Sequence, residues 1–157
     1  MARTWIIATV VFLADFFVKG YIRSLSPFQS VPIIKNILHI TPVFNSGAAF
    51  GILQEKTTFL ILAGIAFILL FFILIKKENK KSTLFLIACG LIIGGALSNL
   101  WDQLYLGYIV DYIDFRIWPV FNISDSCITV GASLLIWESY QDRKKIKLNK
   151  QENRLQQ

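Results

Sequence analysis

The chain is poor in the residues that most soluble chemistry relies on. Its 157 residues include two cysteines, one histidine, one methionine and four prolines, and only 17% are charged. Two cysteines cannot build a disulfide framework. Cys89 and Cys127 both fall in apolar runs, where a free cysteine serves as a small apolar filler. A lone histidine, His39, leaves a zinc site poorly supplied and argues against a Ser-His-Asp triad. No metal and no cofactor is therefore expected. No internal repeat or low-complexity stretch is visible. The charged fraction lies well below the roughly 25% of an average soluble domain. What is abundant is apolar surface: 55% of residues are hydrophobic and 14% aromatic. That excludes intrinsic disorder, and the length suits one domain.

The hydrophobicity is gathered into long runs, which is a poor fit to a compact soluble domain and points to an integral membrane protein. Segments 5–22, 57–75, 82–100 and 123–140 approach the roughly 20 residues needed to cross a hydrocarbon core of about 30 Å. The second, TTFLILAGIAFILLFFILI, carries no charge. The first is interrupted by Asp15 and Lys19 and is followed by no A-x-A-like site, so it reads as a retained helix and not as a cleaved signal peptide. The sequence predicts an all-α membrane protein of four transmembrane helices with a small extracytoplasmic β-rich loop region. Residues 1–143 form a single transmembrane domain and 144–157 a basic cytoplasmic tail.

The formal net charge of +6 is chiefly topogenic. Arg3, the 76–81 turn and the tail from 142 hold eleven of the sixteen lysines and arginines. By the positive-inside rule both termini and that turn are cytoplasmic, and residues 23–56 and 101–122 face outward. The tail can also touch anionic lipid headgroups. Basic residues that flank spans, with no folded basic face bearing stacking aromatics, argue against nucleic acid as a partner. Segments 31–44 and 108–121 are rich in Val, Ile and aromatics. They predict short strands, able to pair with each other, near the membrane surface.

The scarce acids carry the functional signal. Of ten, five are aspartates in or next to the outward half of the bundle: Asp15, Asp102, Asp111, Asp114 and Asp125. A charge at the bilayer centre costs about 2.5–3.5 kcal/mol on insertion scales, so such residues are seldom idle. Asp15 and Lys19 are four apart and can pair on one helix face. Ser98, Asn99 and Asp102 share a face of the third span. Asn122 and Asp125 are three apart at the start of the fourth, where Asn122 also suits a helix cap. Gly94-Gly95-Ala96 allows close helix approach, and the small residues of 45–51 allow a tight turn.

Five segments in this order resemble the lipoprotein signal peptidase (signal peptidase II) family: DFFVK at 15–19, NSGAAFG at 45–51, GGALSNLWDQ at 94–103, VDYID at 110–114 and FNISD at 121–125. The resemblance covers most of the chain. It implies a bacterial inner-membrane aspartyl endopeptidase that removes the signal peptide from diacylglyceryl-modified prolipoproteins, cutting before the lipid-bearing cysteine. Its partners are then lipid-modified prolipoprotein substrates and membrane lipid, and a monomer suffices chemically. By the same similarity the catalytic pair is Asp111 and Asp125, supported by Asn99, Asp102 and Asn122. Asp15 and Lys19 match the polar pair of the first helix, and Asn45 and Gly47 match the N-x-G loop on the substrate side. The chain departs from the family pattern at Phe16, Phe44, Ser98, Gln103 and Ser124. Gln103, in place of the usual Arg, removes a bidentate donor to carboxylate.

Two carboxyl groups sharing a site repel, so one ionises while the other keeps its proton. One can then take a proton from water while the other donates toward the scissile carbonyl. The rival readings are a non-enzymatic transporter or assembly factor using the same polar cluster, and a metal-dependent protease, which lacks a His-rich motif here.

Overall fold

The structure, a computed structural model, describes residues 2–25, 30–47, 56–78 and 82–155. Four helices and three strands follow in the order α1 (Ala2–Ser24), β1 (Val31–Ile34), β2 (Leu38–Asn45), α2 (Thr57–Lys77), α3 (Thr83–Tyr105), β3 (Ile109–Asp114) and α4 (Ile123–Leu155). The fold is mostly helical with one small antiparallel sheet.

Among the described residues, three helices are long and apolar enough to cross a membrane: α1, α2 and α3. In α2 the long side chains of Phe59, Leu62, Leu69 and Leu70 are exposed, and Ile75 is its one buried residue among those described. A helix apolar all round yet barely covered by protein finds its solvent in lipid. The fourth helix has 33 residues and would reach about 50 Å at 1.5 Å per residue. It continues as helix through most of the stretch expected as a tail, because Lys, Gln, Glu and Arg are good helix formers and neither Gly nor Pro interrupts them.

The third helix is the hub, packing against α1, α2 and α4. Two adjacent glycines make that possible. A Cβ on Gly94 would lie 2.6 Å from the Ala8 carbonyl oxygen of α1, and one on Gly95 would lie 2.5 Å from the Ser124 carbonyl oxygen of α4. Ala8, Cys89 and Ile93 fill the apolar core around this crossing, with Cys89 a fully buried filler.

The sheet order is β1-β2-β3, with both pairs antiparallel. Asn36, at φ 63°, turns β1 into β2, a conformation Asn tolerates better than most residues. The central strand contains Pro42, which has no N–H for the ladder. It is accommodated at a bulge, where the β2–β3 register shifts between Ile40 and Val43. Beyond the bulge Val43 pairs with Asp111 and Asn45 with Ile109. Val110 and Tyr112 pack the sheet onto Ile22 of α1. The outer side of β3 bonds to Phe121, through its bridge with Ile113. That bridge brings Asn122 and the start of α4 beside Asp111.

Candidate active site

Where α1, α3, α4 and β3 meet, the interior is polar. Asp15 is 0% exposed and Lys19 1%, and Ser98, Asp102, Asp111, Asn122 and Ser124 are also buried. Burying charges is costly unless they are paired and hydrogen-bonded, so the partners of each group decide what the cluster can do.

Lys19 Nζ lies 2.8 Å from Asp15 Oδ2 and 3.0 Å from Asp102 Oδ2, and it donates to Asn99 Oδ1 at 2.8 Å. An ammonium has three protons, and each has a partner. With its oxygen turned to Lys19, Asn99 donates Nδ2 to Asp125 Oδ1 at 2.8 Å. Asn122 Nδ2 reaches both Asn99 Oδ1 at 3.1 Å and Asp111 Oδ1 at 2.8 Å. Asn45 Nδ2 donates to Asp111 Oδ2 at 3.1 Å, and the Gly47 N–H holds the Asn45 oxygen at 3.0 Å. The network therefore orients each asparagine with its donor end on a carboxylate.

Asn122 joins the two carboxylates. Its side chain donates to Asp111, and its backbone N–H donates to Asp125 Oδ2 at 3.2 Å. In return, the Asp125 N–H donates to Asn122 Oδ1 at 2.8 Å. This reciprocal pair is a capping box, made with Asp at the third helical position. The cap and the contact with Asp111 thus coexist in one residue.

Asp111 and Asp125 line one cavity of about 610 Å³, with Phe44, Ile109, Trp118 and Phe121 among its apolar walls. A partly apolar cleft with two convergent acids suits an extended peptide whose flanks are greasy. Burial, followed by the nearby charge of Asp125, pushes the Asp111 carboxyl up to about 7; the amides of Asn45 and Asn122 and the Lys19 charge act in the opposite direction. Burial and then the Asp15 charge push the Tyr112 phenol up, so it stays a neutral donor, bonding Asp15 Oδ1 at 3.1 Å.

Asp111 sits within β3. Among the described residues Asp102 makes no hydrogen bond to either member of the pair; it holds Lys19 and accepts the Val110 N–H at 3.1 Å, bracing β3 one residue before Asp111. Asp114 is outside the cluster, bonded to Thr41 and Arg116. Burial tends to raise its carboxyl, but the Thr41 and Arg116 hydrogen bonds outweigh that and hold it below the usual range. Of the 45–51 segment, 48–51 lie outside the described residues, as do 79–81 of the basic turn. Phe16 packs its ring against Phe12 and Trp101. Phe44 stacks edge-on with Tyr108 at 5.2 Å. Gln103 donates to the Gly107 carbonyl at 3.5 Å, and its oxygen, among the described residues, has no partner.

What the linear sequence did not reveal is that Ser98, Tyr112 and Ser124 all converge on Asp15. The available signal was two departures of the same kind, a hydroxyl at Ser98 and at Ser124 where the resembled pattern has Gly and Ala. Among the described residues no group of three or more His, Cys, Asp or Glu is arranged to hold a metal ion.

A family profile described as signal peptidase (SPase) II matches residues 7–141. A protein of Halothermothrix orenii named lipoprotein signal peptidase is 42% identical over 141 residues, covering 89% of this chain and 97% of the relative. One of Caldanaerobacter subterraneus subsp. tengcongensis with the same name is 45% identical over 132 residues, covering 83% and 90%. Two solved structures, each described as a bacterial membrane enzyme determined by the in meso method, superpose with TM-scores of 0.87 and 0.82. Their identities are 31% and 32%, and they cover 92% and 90% of this chain. With the profile spanning most of the sequence and such relatives matched over nearly their full length, the chain belongs to the signal peptidase II family of aspartic peptidases.

Proposed function

We propose that this chain is a membrane aspartyl endopeptidase that removes the signal peptide from diacylglyceryl-modified prolipoproteins, with Asp111 and Asp125 as its catalytic pair. The observation that carries the assignment is the bridging of both carboxylates by Asn122 at the wall of one cavity. Asn99 and Asn45 each hold the outer oxygen of one member. Two acids so fixed share one proton at neutral pH, because burial and mutual repulsion oppose a second ionisation. The ionised member takes a proton from water as the water oxygen attacks the scissile carbonyl carbon. The neutral member gives its proton to the carbonyl oxygen. As the tetrahedral intermediate collapses the C–N bond breaks: the carboxyl that took the water proton gives it to the leaving nitrogen, and the other recovers its proton from the gem-diol hydroxyl as the carbonyl re-forms.

Depth supports the same reading. Asp111 lies on the sheet and Asp125 in the first turn of α4, so the pair stands at one end of the bundle, where water reaches. A diacylglyceryl anchor would hold the scissile bond at that level. In this reading α4 is the fourth transmembrane helix and the sheet faces the extracytoplasmic side of the bacterial inner membrane. Both termini are cytoplasmic, and the enzyme works as a monomer. The test is cleavage of a lipidated prolipoprotein peptide in detergent. The Asp111→Asn and Asp125→Asn variants should each lose processing, and EDTA should have no effect. Normal processing by both variants would sink the assignment. For topology, a Glu78→Cys variant should be labelled only from the cytoplasmic face.

A further inference from the structure

The three residues that donate hydroxyls to Asp15 are each the immediate chain neighbour of a group in the catalytic network. Ser98 precedes Asn99, Tyr112 follows Asp111, and Ser124 precedes Asp125. Ser98 Oγ donates to Asp15 Oδ2 at 2.7 Å, Ser124 Oγ to the same oxygen at 2.5 Å, and the Tyr112 hydroxyl to Oδ1 at 3.1 Å. All three residues are buried, as is Asp15. One carboxylate on α1 thus ties together the three elements that carry Asp111, Asp125 and Asn99.

We infer that Ser98, Tyr112 and Ser124 are positioning residues for the Asp111–Asp125 pair, acting through Asp15. The inference rests on the reading of that pair as catalytic.

Adjacent residues on a helix point about 100° apart, so a hydroxyl fixed on Asp15 fixes the rotation of its helix and the direction of the next side chain. On a strand, neighbours point to opposite faces. Tyr112 accordingly reaches inward to Asp15 while Asp111 faces the cavity and the Asn45 and Asn122 amides. A helix with its side chains is about 10–12 Å across, so a 10° rotation shifts a side-chain tip by about 1 Å. A misplacement of that size can cost about a hundredfold in rate. Solvating the buried carboxylate would not by itself require donors from three separate elements, since Lys19 already pairs with it.

The test compares Ser98→Ala, Ser124→Ala and Tyr112→Phe, singly and together, with the parent enzyme in detergent. kcat and KM are measured per folded enzyme across pH, with thermal melting alongside. The charged groups around the pair are Asp15 and Lys19 from α1 and Asp102 from α3, and all are retained. The expected result is a kcat lower by roughly tenfold to a hundredfold in the Ser98→Ala/Ser124→Ala variant, with KM unchanged. The upper limb of its pH profile should move to lower pH as the two carboxyls separate and repel less. Tyr112→Phe deletes a single oxygen, which also accepts the Ile123 N–H at 3.3 Å, so it should show a smaller loss of the same kind even if the combined variant unfolds. A lower melting temperature with kcat and pH limbs unchanged would make these hydroxyls structural only and overturn the proposal. If Asp111→Asn keeps full activity, the catalytic reading itself falls, whatever the serine variants do.

Discussion

The Lys19 ammonium donates to Oδ1 of Asn99 at 2.8 Å, across 80 residues of chain. That contact makes the ion pair of the first helix part of the site, because Asn99 can then present only its donor end to Asp125. Lys19→Met would leave Asp15 and Asp102 buried without their counter-charge. Breaking a buried pair by removing one partner costs about 3–5 kcal/mol. The variant should therefore melt well below the parent and be inactive. Adding Asp15→Asn relieves part of the unpaired charge and should restore part of the melting temperature. It should not restore cleavage, since Asn99 still lacks its charged orienting donor and keeps only the Asn122 amide at 3.1 Å. Recovery of activity along with stability would show that Lys19 acts only on folding.

The raised carboxyl of Asp111 gives two linked pH effects. Below about 7 the folded protein holds this proton, whereas an unfolded chain releases it near 3.8. Between those values the native state binds more protons than the unfolded state, so stability falls as pH rises. The full shift corresponds to an order-of-magnitude loss of roughly 4 kcal/mol by pH 7. Asp111→Asn removes this slope, so its melting temperature relative to the parent should be higher at pH 8 than at pH 5. In the parent, kcat/KM should decline above about pH 7 as the shared proton is lost. A profile flat to pH 9 would contradict both expectations.

Asn122 has two jobs that substitution can separate. Ser is as good an N-cap as Asn, whereas replacement by Ala costs about 1 kcal/mol. Asn122→Ser should keep the hydrogen bond to the Asp125 N–H, and with it most of the stability. It cannot reach both Asn99 and Asp111, as the amide nitrogen does now. Activity should fall by about a hundredfold while the melting temperature moves little. If Asn122→Ser cleaves normally, the contact with Asp111 is incidental to the cap.

The linear sequence was most informative where contacts are local. The pairing of Asp15 with Lys19 follows from one helical turn, and the Asn122–Asp125 cap from three residues' spacing. Strands at 31–44 and 108–121 were visible in composition, although the alternation of the first is broken by the bulge at Thr41 and Pro42. Asp102 was harder, since spacing puts it on the face of Asn99 but says nothing of the Val110 N–H it accepts. Ser98, Tyr112 and Ser124 meet Asp15 from 83, 97 and 109 residues away. No periodicity encodes such a meeting; it arises only when the close crossings of α3 are in place.

Those crossings can be tested directly, and they connect the fold to the site. A Cβ on Gly95 would sit 2.5 Å from the backbone oxygen of Ser124, which flexible side chains cannot relieve. Gly95→Ala therefore forces α4 away from α3, at a cost of about 1–3 kcal/mol for overpacking. The displaced residue adjoins Asp125, so cleavage should fall more steeply than stability. Gly64→Ala is the control, because its Cβ meets only the Leu100 side chain at 3.4 Å. There the usual helical gain of about 0.5–1 kcal/mol from Gly to Ala should appear, with activity unchanged. Equal tolerance at the two positions, measured by melting and by peptide cleavage, would mean that the α3–α4 contact does not control the geometry of the pair.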